Sequence, residues 1–366
     1  MTADLRCGHA LDVLAALPAG VARTCVTSPP YWGLRDYGLE PVDWPAVSFA
    51  PMAGLPPVAV PAWRGCLGLE PDPWAFVGHL VAVFREVRRV LAEDGALWLN
   101  LGDCWASGPP GGRDPERWPA QSRNRGSRGD SPKHVEGSAL CEQPNRRALP
   151  GLKPKDLLGI PWRVAFALQA DGWWLRSEVV WNKVNGMPES VRDRPTKAHE
   201  QVFLLTKSER YFYDTDAIAE RAVRGFAGSR FDAGKTAEHQ LGRASSAPRA
   251  ERETRNRRSV WTIAGEPYSG PHFAVMPSAL ARLCVRAGSA PGDAVLDPFS
   301  GAGTTGLAAL QEGRNFVGAE ASADYCRLAR ERWDAEGRQV VALPAGERPA
   351  PPEQASLLEL SEARPH

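Results

Sequence analysis

The chain has 366 residues, with 44 Lys and Arg against 43 Asp and Glu for a formal net charge of +1. This length suits one large α/β domain with insertions, or two domains, and the near-zero charge favours no class of partner. Seven scattered cysteines (Cys7, Cys25, Cys66, Cys104, Cys141, Cys284, Cys326) include no C-x-x-C pair, which argues against a disulfide framework or structural zinc and fits a reducing cytosol.

No signal-peptide pattern opens the chain, and no apolar run approaches the ~20 residues of a membrane span. Ala10–Leu17 reads as a short amphipathic helix and Ala22–Thr27 as a strand, ended by Pro29-Pro30. Pro41–Pro61 is proline-rich and reads as an irregular loop. Within Trp74–Leu91, the residues Phe76, Leu80, Val83, Phe84, Val87 and Leu91 recur at helical spacing. Glu93-Asp94-Gly95 ends that helix, and Ala96–Leu101 follows as a buried strand. Ala106–Pro150 is dense in Gly, Pro, Ser and Arg, with eight basic residues against five acidic ones. A structureless stretch of that length inside a domain is usually functional or disordered. A helix over Leu157–Ala170 and strands over Glu178–Trp181 and Glu200–Thr206 come next. Arg221–Arg258 is a second basic stretch, ten basic residues against four acidic. Met276–Ala287 reads as a helix, Ala294–Asp297 as a strand, Thr304–Glu312 as a helix, Asn315–Ala319 as a strand and Ala323–Asp334 as a helix. The last four form a βαβα unit with parallel strands, and the tail from Gly337 reads as loose.

Two motifs stand where a strand gives way to a loop, the place where open α/β sheets bind ligands. The later one is Asp297-Pro298-Phe299-Ser300-Gly301-Ala302-Gly303-Thr304-Thr305-Gly306, which contains G-x-G-x-x-G between a strand and a helix. Glycines there allow a tight turn and close approach of a ligand to the backbone. Glu320 ends the next strand, where an acid can accept hydrogen bonds from both ribose hydroxyls. On the glycines and Glu320 alone, a nicotinamide-dependent dehydrogenase is a rival reading. Asp297, however, sits where a pyrophosphate would lie and would repel it. It suits a ligand carrying a sulfonium and an ammonium and no phosphate, as S-adenosylmethionine does.

The earlier motif is Thr27-Ser28-Pro29-Pro30-Tyr31-Trp32. Its Ser28-Pro29-Pro30-Tyr31 resembles the catalytic tetrapeptide of amino-methylating DNA methyltransferases, and the resemblance implies an exocyclic base amine as substrate, a poor nucleophile because its lone pair is delocalised into the ring. The Ser28 hydroxyl and the Pro29 carbonyl can accept its N–H groups and draw the nitrogen toward tetrahedral geometry. The rigid prolines, Pro30 included, preorganise those acceptors. Tyr31 can stack on the base once it leaves the helix. A DNA-binding protein with a degenerate site is the non-enzymatic alternative.

Both motifs resemble those of the β-class S-adenosylmethionine-dependent DNA amino-methyltransferases, and the resemblance covers most of the chain outside the two basic stretches. Leu67-Gly68-Leu69-Glu70, Trp181-Asn182-Lys183 with Asn185 and Pro188, and His272-Phe273-Ala274-Val275-Met276-Pro277 resemble further family segments. The family's Gly-Asp near the N-terminus is Gly8-His9 here, so His9 is either a surface histidine or a departure at a cofactor contact. The resemblance implies a Rossmann-like α/β fold, circularly permuted, with a mostly parallel central sheet, helices on both faces, and the strands Ala22–Thr27 and Ala294–Asp297 as neighbours. It implies Ser28, Pro29, Pro30 and Tyr31 as catalytic residues. Asp297, Phe299, Ser300, Gly301, Gly303, Thr304, Thr305, Glu320, His272 and His9 become the candidate cofactor contacts, and no metal is expected. Ser in the first position of the tetrapeptide goes with cytosine N4 methylation, while Asp and often Asn go with adenine N6, which remains the alternative.

The organisation implied is a catalytic half over residues 1–105, a basic insertion over 106–150 and a continuation over 151–220. A target-recognition region over 221–260, a cofactor-binding half over 261–336 and a tail over 337–366 complete it. Trp32, Arg35, Lys183, Arg230, Arg257 and Arg258 are the candidate contacts to double-stranded DNA, since arginine meets phosphates or guanine edges. A cytoplasmic protein of a bacterium, archaeon or phage is implied, monomeric or homodimeric, with a restriction endonuclease as a possible companion.

Overall fold

A computed structural model describes residues 1–34, 36–106, 151–186, 188–222, 253–266 and 276–337. Fourteen strands are present among them. They are β1 (Ala3–Cys7), β2 (Ala22–Thr27), β3 (Val42–Trp44), β4 (Val47–Phe49), β5 (Val58–Val60), β6 (Trp63–Gly65) and β7 (Leu91–Leu101), then β8 (Trp174–Asn182), β9 (His199–Thr206), β10 (Glu220–Arg221), β11 (Thr254–Arg255), β12 (Val260–Thr262), β13 (Ala294–Asp297) and β14 (Asn315–Glu320). The helices are α1 (Ala10–Ala15), α2 (Pro73–Val90), α3 (Ile160–Ala170), α4 (Ser278–Gly288), α5 (Thr304–Gln311) and α6 (Ala323–Ala335).

Local chemistry sets the helix ends. Asp72 caps α2, its Oδ1 accepting from the amides of Trp74 at 2.8 Å and Ala75 at 3.0 Å, and Pro73 occupies the first turn, where no N–H is needed. Ser322 caps α6 through the Tyr325 amide. Along α2 the apolar positions at helical spacing form one buried face.

Eight strands form one sheet in the order β1-β14-β13-β2-β7-β9-β8-β12. Pairing is parallel except that β9 runs antiparallel to both β7 and β8. Strands β2 and β13, distant in sequence, are neighbours, with Leu296 opposite Cys25. That is the permuted, mostly parallel sheet expected. Residues of α1, α2 and α3 share one apolar core with one face of the sheet, and those of α4, α5 and α6 share a second core with the other.

One strand carried no expectation, and two sequence expectations need correction. The N-terminal residues 3–7 form a strand, β1, paired in parallel with β14 at the sheet edge, although five residues with charges at Asp4 and Arg6 carry little strand signal. Pro41–Pro61 is not irregular: β3 pairs β6 and β4 pairs β5 in two small antiparallel ladders, whose residues Trp44, Val47, Phe49 and Val60 bury against α2. A disulfide joins Cys7 at the end of β1 to Cys326 in α6, where only free thiols were expected.

Residues 107–150 and 223–252, most of the two basic stretches, lie outside the described residues, as does the tail from 338. The flanks of each stretch meet. Trp105 bridges Leu157 and Ala106 exchanges backbone hydrogen bonds with Lys155 and Asp156, while β10 pairs β11. Each stretch therefore leaves and re-enters the fold at one point.

Candidate active site

Because β2 and β13 are adjacent and parallel, the loops that follow them open on the same edge of the sheet. Two side chains stitch them together. Thr27 Oγ1 donates to Asp297 Oδ1 at 2.6 Å, and Thr305 Oγ1 donates to the Val26 carbonyl at 3.2 Å. Between the loops lies a cavity of about 610 Å³. Ser28, Pro29, Pro30 and Tyr31 line it, together with Asp297, Phe299, Ser300, Gly301, Thr304, Thr305 and Glu320.

The β13 side is acidic and desolvated. Burial pushes the Asp297 carboxyl up to about 6, against the hydrogen bonds from Thr27 and the Phe299 amide, and Glu320 adds to the rise. Burial raises Glu320 as well. Glu320 accepts from the Ser322 amide at 2.8 Å and the Gly301 amide at 2.7 Å, one on each carboxylate oxygen, with the Ala321 amide as a further donor. Ser300 Oγ is buried and has no partner among the described residues. Two buried acids and an unpaired hydroxyl fit a ligand bearing positive charge and hydroxyl groups, as S-adenosylmethionine does. A pyrophosphate would meet the acids instead, and the Gly301 amide that could greet it is already held by Glu320.

Gly303 needs reassignment. It does not line the cavity; a Cβ there would stand 2.7 Å from Ala329 and 2.8 Å from the Trp333 ring. Gly306 is tighter still, at 2.3 Å from Trp333. These two glycines make room for α6 rather than for a ligand, and Trp333 Nε1 donates to the Gly303 carbonyl at 2.9 Å. Only Gly301 of the motif's glycines faces the cavity. His9 lines the cavity with its ring edge-on to Trp44 at 4.6 Å, so it is not a surface histidine. His272 lies outside the described residues, while Met276 lines the cavity.

The β2 side carries a polar network that the sequence did not reveal. Tyr31 OH donates to Glu200 Oε2 at 2.7 Å. Asn100 Nδ2 donates to the same carboxylate oxygen at 2.8 Å and also to Tyr31 OH. Ser28 Oγ lies 3.3 Å from Tyr31 OH, and Lys183 Nζ donates to Glu200 Oε1. Burial, with the Glu200 charge next, holds the Tyr31 phenol well above its ordinary range, so it stays a donor. The Tyr31 ring lies against Gly102, where a Cβ would come within 2.4 Å of it. Beneath, Glu70 is fully buried, accepting from the Gly68 amide at 2.8 Å and contacting His79 Nδ1 at 3.0 Å, and Gly68 in turn accepts from the Gly33 amide. Those bonds fix the course of the chain just after Tyr31. One signal for Asn100 was available: it is the lone polar side chain in the apolar strand Ala96–Leu101. Glu200, at the start of β9, offered none.

The candidate DNA contacts separate. Trp32 is a core residue, 1% exposed, with Nε1 donating to the Glu70 carbonyl at 3.0 Å, so it cannot meet DNA. Lys183 is turned into the cavity, paired with Glu200 and 4.6 Å above the Trp181 ring. Arg257 is half-buried, its Nε donating to the Ile218 carbonyl, whereas Arg258 is exposed and paired with Glu220 at 2.7 Å. Arg35 and Arg230 lie outside the described residues. Among the described residues no cluster of His, Cys, Asp or Glu could hold a metal, and no helix is long and apolar enough to cross a membrane.

A permuted α/β sheet, with a Ser-Pro-Pro-Tyr turn at the end of one central strand and two buried acids at the ends of its neighbours, has the arrangement of an amino-methyltransferase. The sequence profile described as DNA methylase, for N6 and N4 methyltransferases, matches residues 22–331. The chain is 42% identical over 338 residues to the Type II methyltransferase M.Cfr9I of Citrobacter freundii, covering 92% of this chain and 90% of that one. It is 42% identical over 325 residues to M.SmaI of Serratia marcescens, covering 89% and 88%. The chain belongs to the DNA methylase family. Solved structures agree in fold. The PvuII DNA methyltransferase (cytosine-N4-specific) superposes with a TM-score of 0.54 at 15% identity, over 91% of this chain and 86% of that one. A putative DNA modification methylase of Thermus thermophilus, in complex with S-adenosyl-L-methionine, gives 0.52 at 23%, over 94% and 100%.

Proposed function

We propose that this chain transfers a methyl group to the exocyclic N4 amine of cytosine in double-stranded DNA, at a specific sequence. The observation that carries the proposal is the Ser28-Pro29 pair of acceptors opening on the same cavity as Asp297 and Glu320. S-adenosylmethionine is the cofactor, and when bound it supplies an electrophilic methyl group on a sulfonium. Asp297 and Glu320 would hold it through charge and ribose hydroxyl contacts, and Ser300 Oγ has hydrogen-bonding capacity to spare.

The rest falls to the chain's own residues. Ser28 Oγ and the Pro29 carbonyl accept the two amine N–H groups, loosening the lone pair from the ring. Tyr31 packs the flipped base, and Leu39, Val42 and Trp44 give the cavity an apolar wall. Cytosine is favoured over adenine by the hydroxyl at position 28, following the family pattern. Arg258 and the basic stretch over 221–258 are the proposed target-recognition contacts. The relatives' designation as Type II methyltransferases supports a place in a restriction–modification pair, with an endonuclease of the same sequence specificity as companion.

Nucleoside mass spectrometry of DNA treated with the protein tests this. N4-methylcytosine is expected. N6-methyladenine in its place overturns the base assignment, and no methylated base in any DNA overturns the activity. Ser28→Ala should abolish methylation and leave DNA binding intact.

A further inference from the structure

We propose that Ser28, Tyr31 and Glu200 form a one-way hydrogen-bond relay that polarises the Ser28 hydroxyl toward the target amine and carries away the proton the amine loses. It rests on the reading of this cavity as a base-methylating site.

The direction of the relay follows from which groups can only donate and which can only accept. An ionised Glu200 carboxylate accepts only. Asn100 must therefore present Nδ2 to it, and that atom faces Glu200 Oε2 at 2.8 Å. Tyr31 must likewise donate its single proton to Glu200 Oε2 at 2.7 Å. The Tyr31 oxygen is then left as an acceptor, with one lone pair turned to Asn100 Nδ2 and one toward Ser28 Oγ at 3.3 Å. Ser28 therefore donates inward to Tyr31. Both Ser28 lone pairs are released toward the cavity, where the amine needs an acceptor. Asn100 Nδ2, 3.5 Å from Ser28 Oγ, adds only a weak donor there. A chain of hydrogen bonds ending on a buried charge strengthens each member, so the Ser28 oxygen becomes a better acceptor than an isolated hydroxyl.

The balance is as follows. When the amine nitrogen accepts the methyl group it gains a C–N bond and a positive charge. One N–H bond then breaks, its electron pair staying on nitrogen, and the proton forms an O–H bond on Ser28. The proton Ser28 held passes to Tyr31 O, and the proton Tyr31 held passes to Glu200 Oε2. Ser28 and Tyr31 end as neutral hydroxyls with reversed orientation, and Glu200 ends as a neutral carboxylic acid that returns its proton to water. Glu200 does not touch the substrate, so it is a positioning residue and proton terminus. The groups facing it are Tyr31 and Ser28 from the loop after β2, Asn100 from β7, Lys183 from the end of β8, and Lys197 from the segment before β9.

Single-turnover methylation of a DNA carrying the protein's target sequence, run at neutral pH in H2O and in D2O for the native chain, Glu200→Gln and Tyr31→Phe, tests the relay. Protons move along the relay as the amine is methylated, so the native rate should fall in D2O. Both variants should lose that solvent isotope effect and fall roughly 10²-fold in rate, the low end of general acid–base contributions. Their affinities for S-adenosylmethionine and for DNA, measured by titration without turnover, should stay within about twofold of the native values, as neither substitution removes a cofactor or phosphate contact. Tyr31→Phe leaves the Lys183–Glu200 pair untouched. Loss of the isotope effect in Glu200→Gln alone would therefore assign Glu200 a role in holding Lys183 and overturn the relay. A native rate indifferent to D2O, or a near-native rate with the isotope effect intact in either variant, would also overturn it. A native chain that methylates no DNA at all would overturn the methylation reading itself, an outcome distinct from both.

Discussion

Asp297→Asn should make the ligand-free protein more stable and the cofactor complex weaker, and the first effect should depend on pH. The carboxyl titrates near 3.8 in an unfolded chain and at about 6 in the fold, mainly because burial penalises its charge. Between those values the folded protein binds more protons than the unfolded one, so its stability falls as pH rises through that window and the deficit is constant above it. A rise of this size corresponds to about 3 kcal/mol at neutral and alkaline pH. Asparagine removes the charge and keeps the local bonds. Thr27 Oγ1 and the Phe299 amide both donate to Oδ1, at 2.6 and 3.0 Å, and an amide oxygen can accept both. Denaturant unfolding at pH 4, 5, 6 and 8 should show the variant equal to the native protein at the acid end. The gain should grow between pH 4 and 6 and level off at up to about 3 kcal/mol. Isothermal titration at pH 8 should show S-adenosylmethionine affinity lowered roughly tenfold or more, since a charge-assisted contact to a cationic ligand is worth about 1.5–3 kcal/mol. A variant destabilised by the same amount at every pH would refute the reasoning, because it would mean that the hydrogen bonds at position 297, and not its buried charge, set the balance.

Two further outcomes follow from packing. Gly306→Ala forces a Cβ to 2.3 Å from the Trp333 ring and should cost about 1–3 kcal/mol in denaturant unfolding; an unchanged midpoint would show that the seam between α5 and α6 is loose. Trp32→Phe removes the indole N–H from a buried carbonyl and should cost about 1–3 kcal/mol in denaturant unfolding, while the affinity for DNA of the folded protein stays at its native value. A weakened DNA affinity with an unchanged unfolding midpoint would return Trp32 to the DNA-facing surface.

The function of the site depends on a conflict that the fold holds in place. Two buried acids, Asp297 and Glu320, would be more stable apart or neutral, yet they are kept together at the mouth of β13 and β14 by adjacent strand ends and backbone donors. In the proposed reading the positive charge of S-adenosylmethionine completes such a site. The β2 side has the complementary arrangement: its carboxylate, Glu200, is compensated by Lys183, Tyr31 and Asn100. In the proposed reading it directs hydroxyls without attracting the cofactor's positive end.

Much of this was legible in the sequence wherever the information is local. Strand Ala22–Thr27 and strand Ala294–Asp297 were read to the residue, because a short apolar run closed by Pro29-Pro30 or by Pro298 is too short for a helix. The helices differed by a few residues at their ends, and a cap such as Asp72 accounts for where α2 begins. The two motifs are contiguous in the chain, so the sequence could name Ser28 and Asp297 as candidates, and the strand end at Glu320 was legible too; the structure brings all three to one cavity. What the chain order could not supply is contact between residues far apart. Thr27 meets Asp297 only because β2 and β13 pair, and Glu200 reaches Tyr31 only because β9 turns antiparallel beside β7. The same holds for Gly303 and Gly306. The sequence presents them as ligand glycines, but the packing of Trp333 from α6 takes the space they leave. A glycine records that a side chain is not tolerated; only the tertiary structure tells which neighbour excludes it.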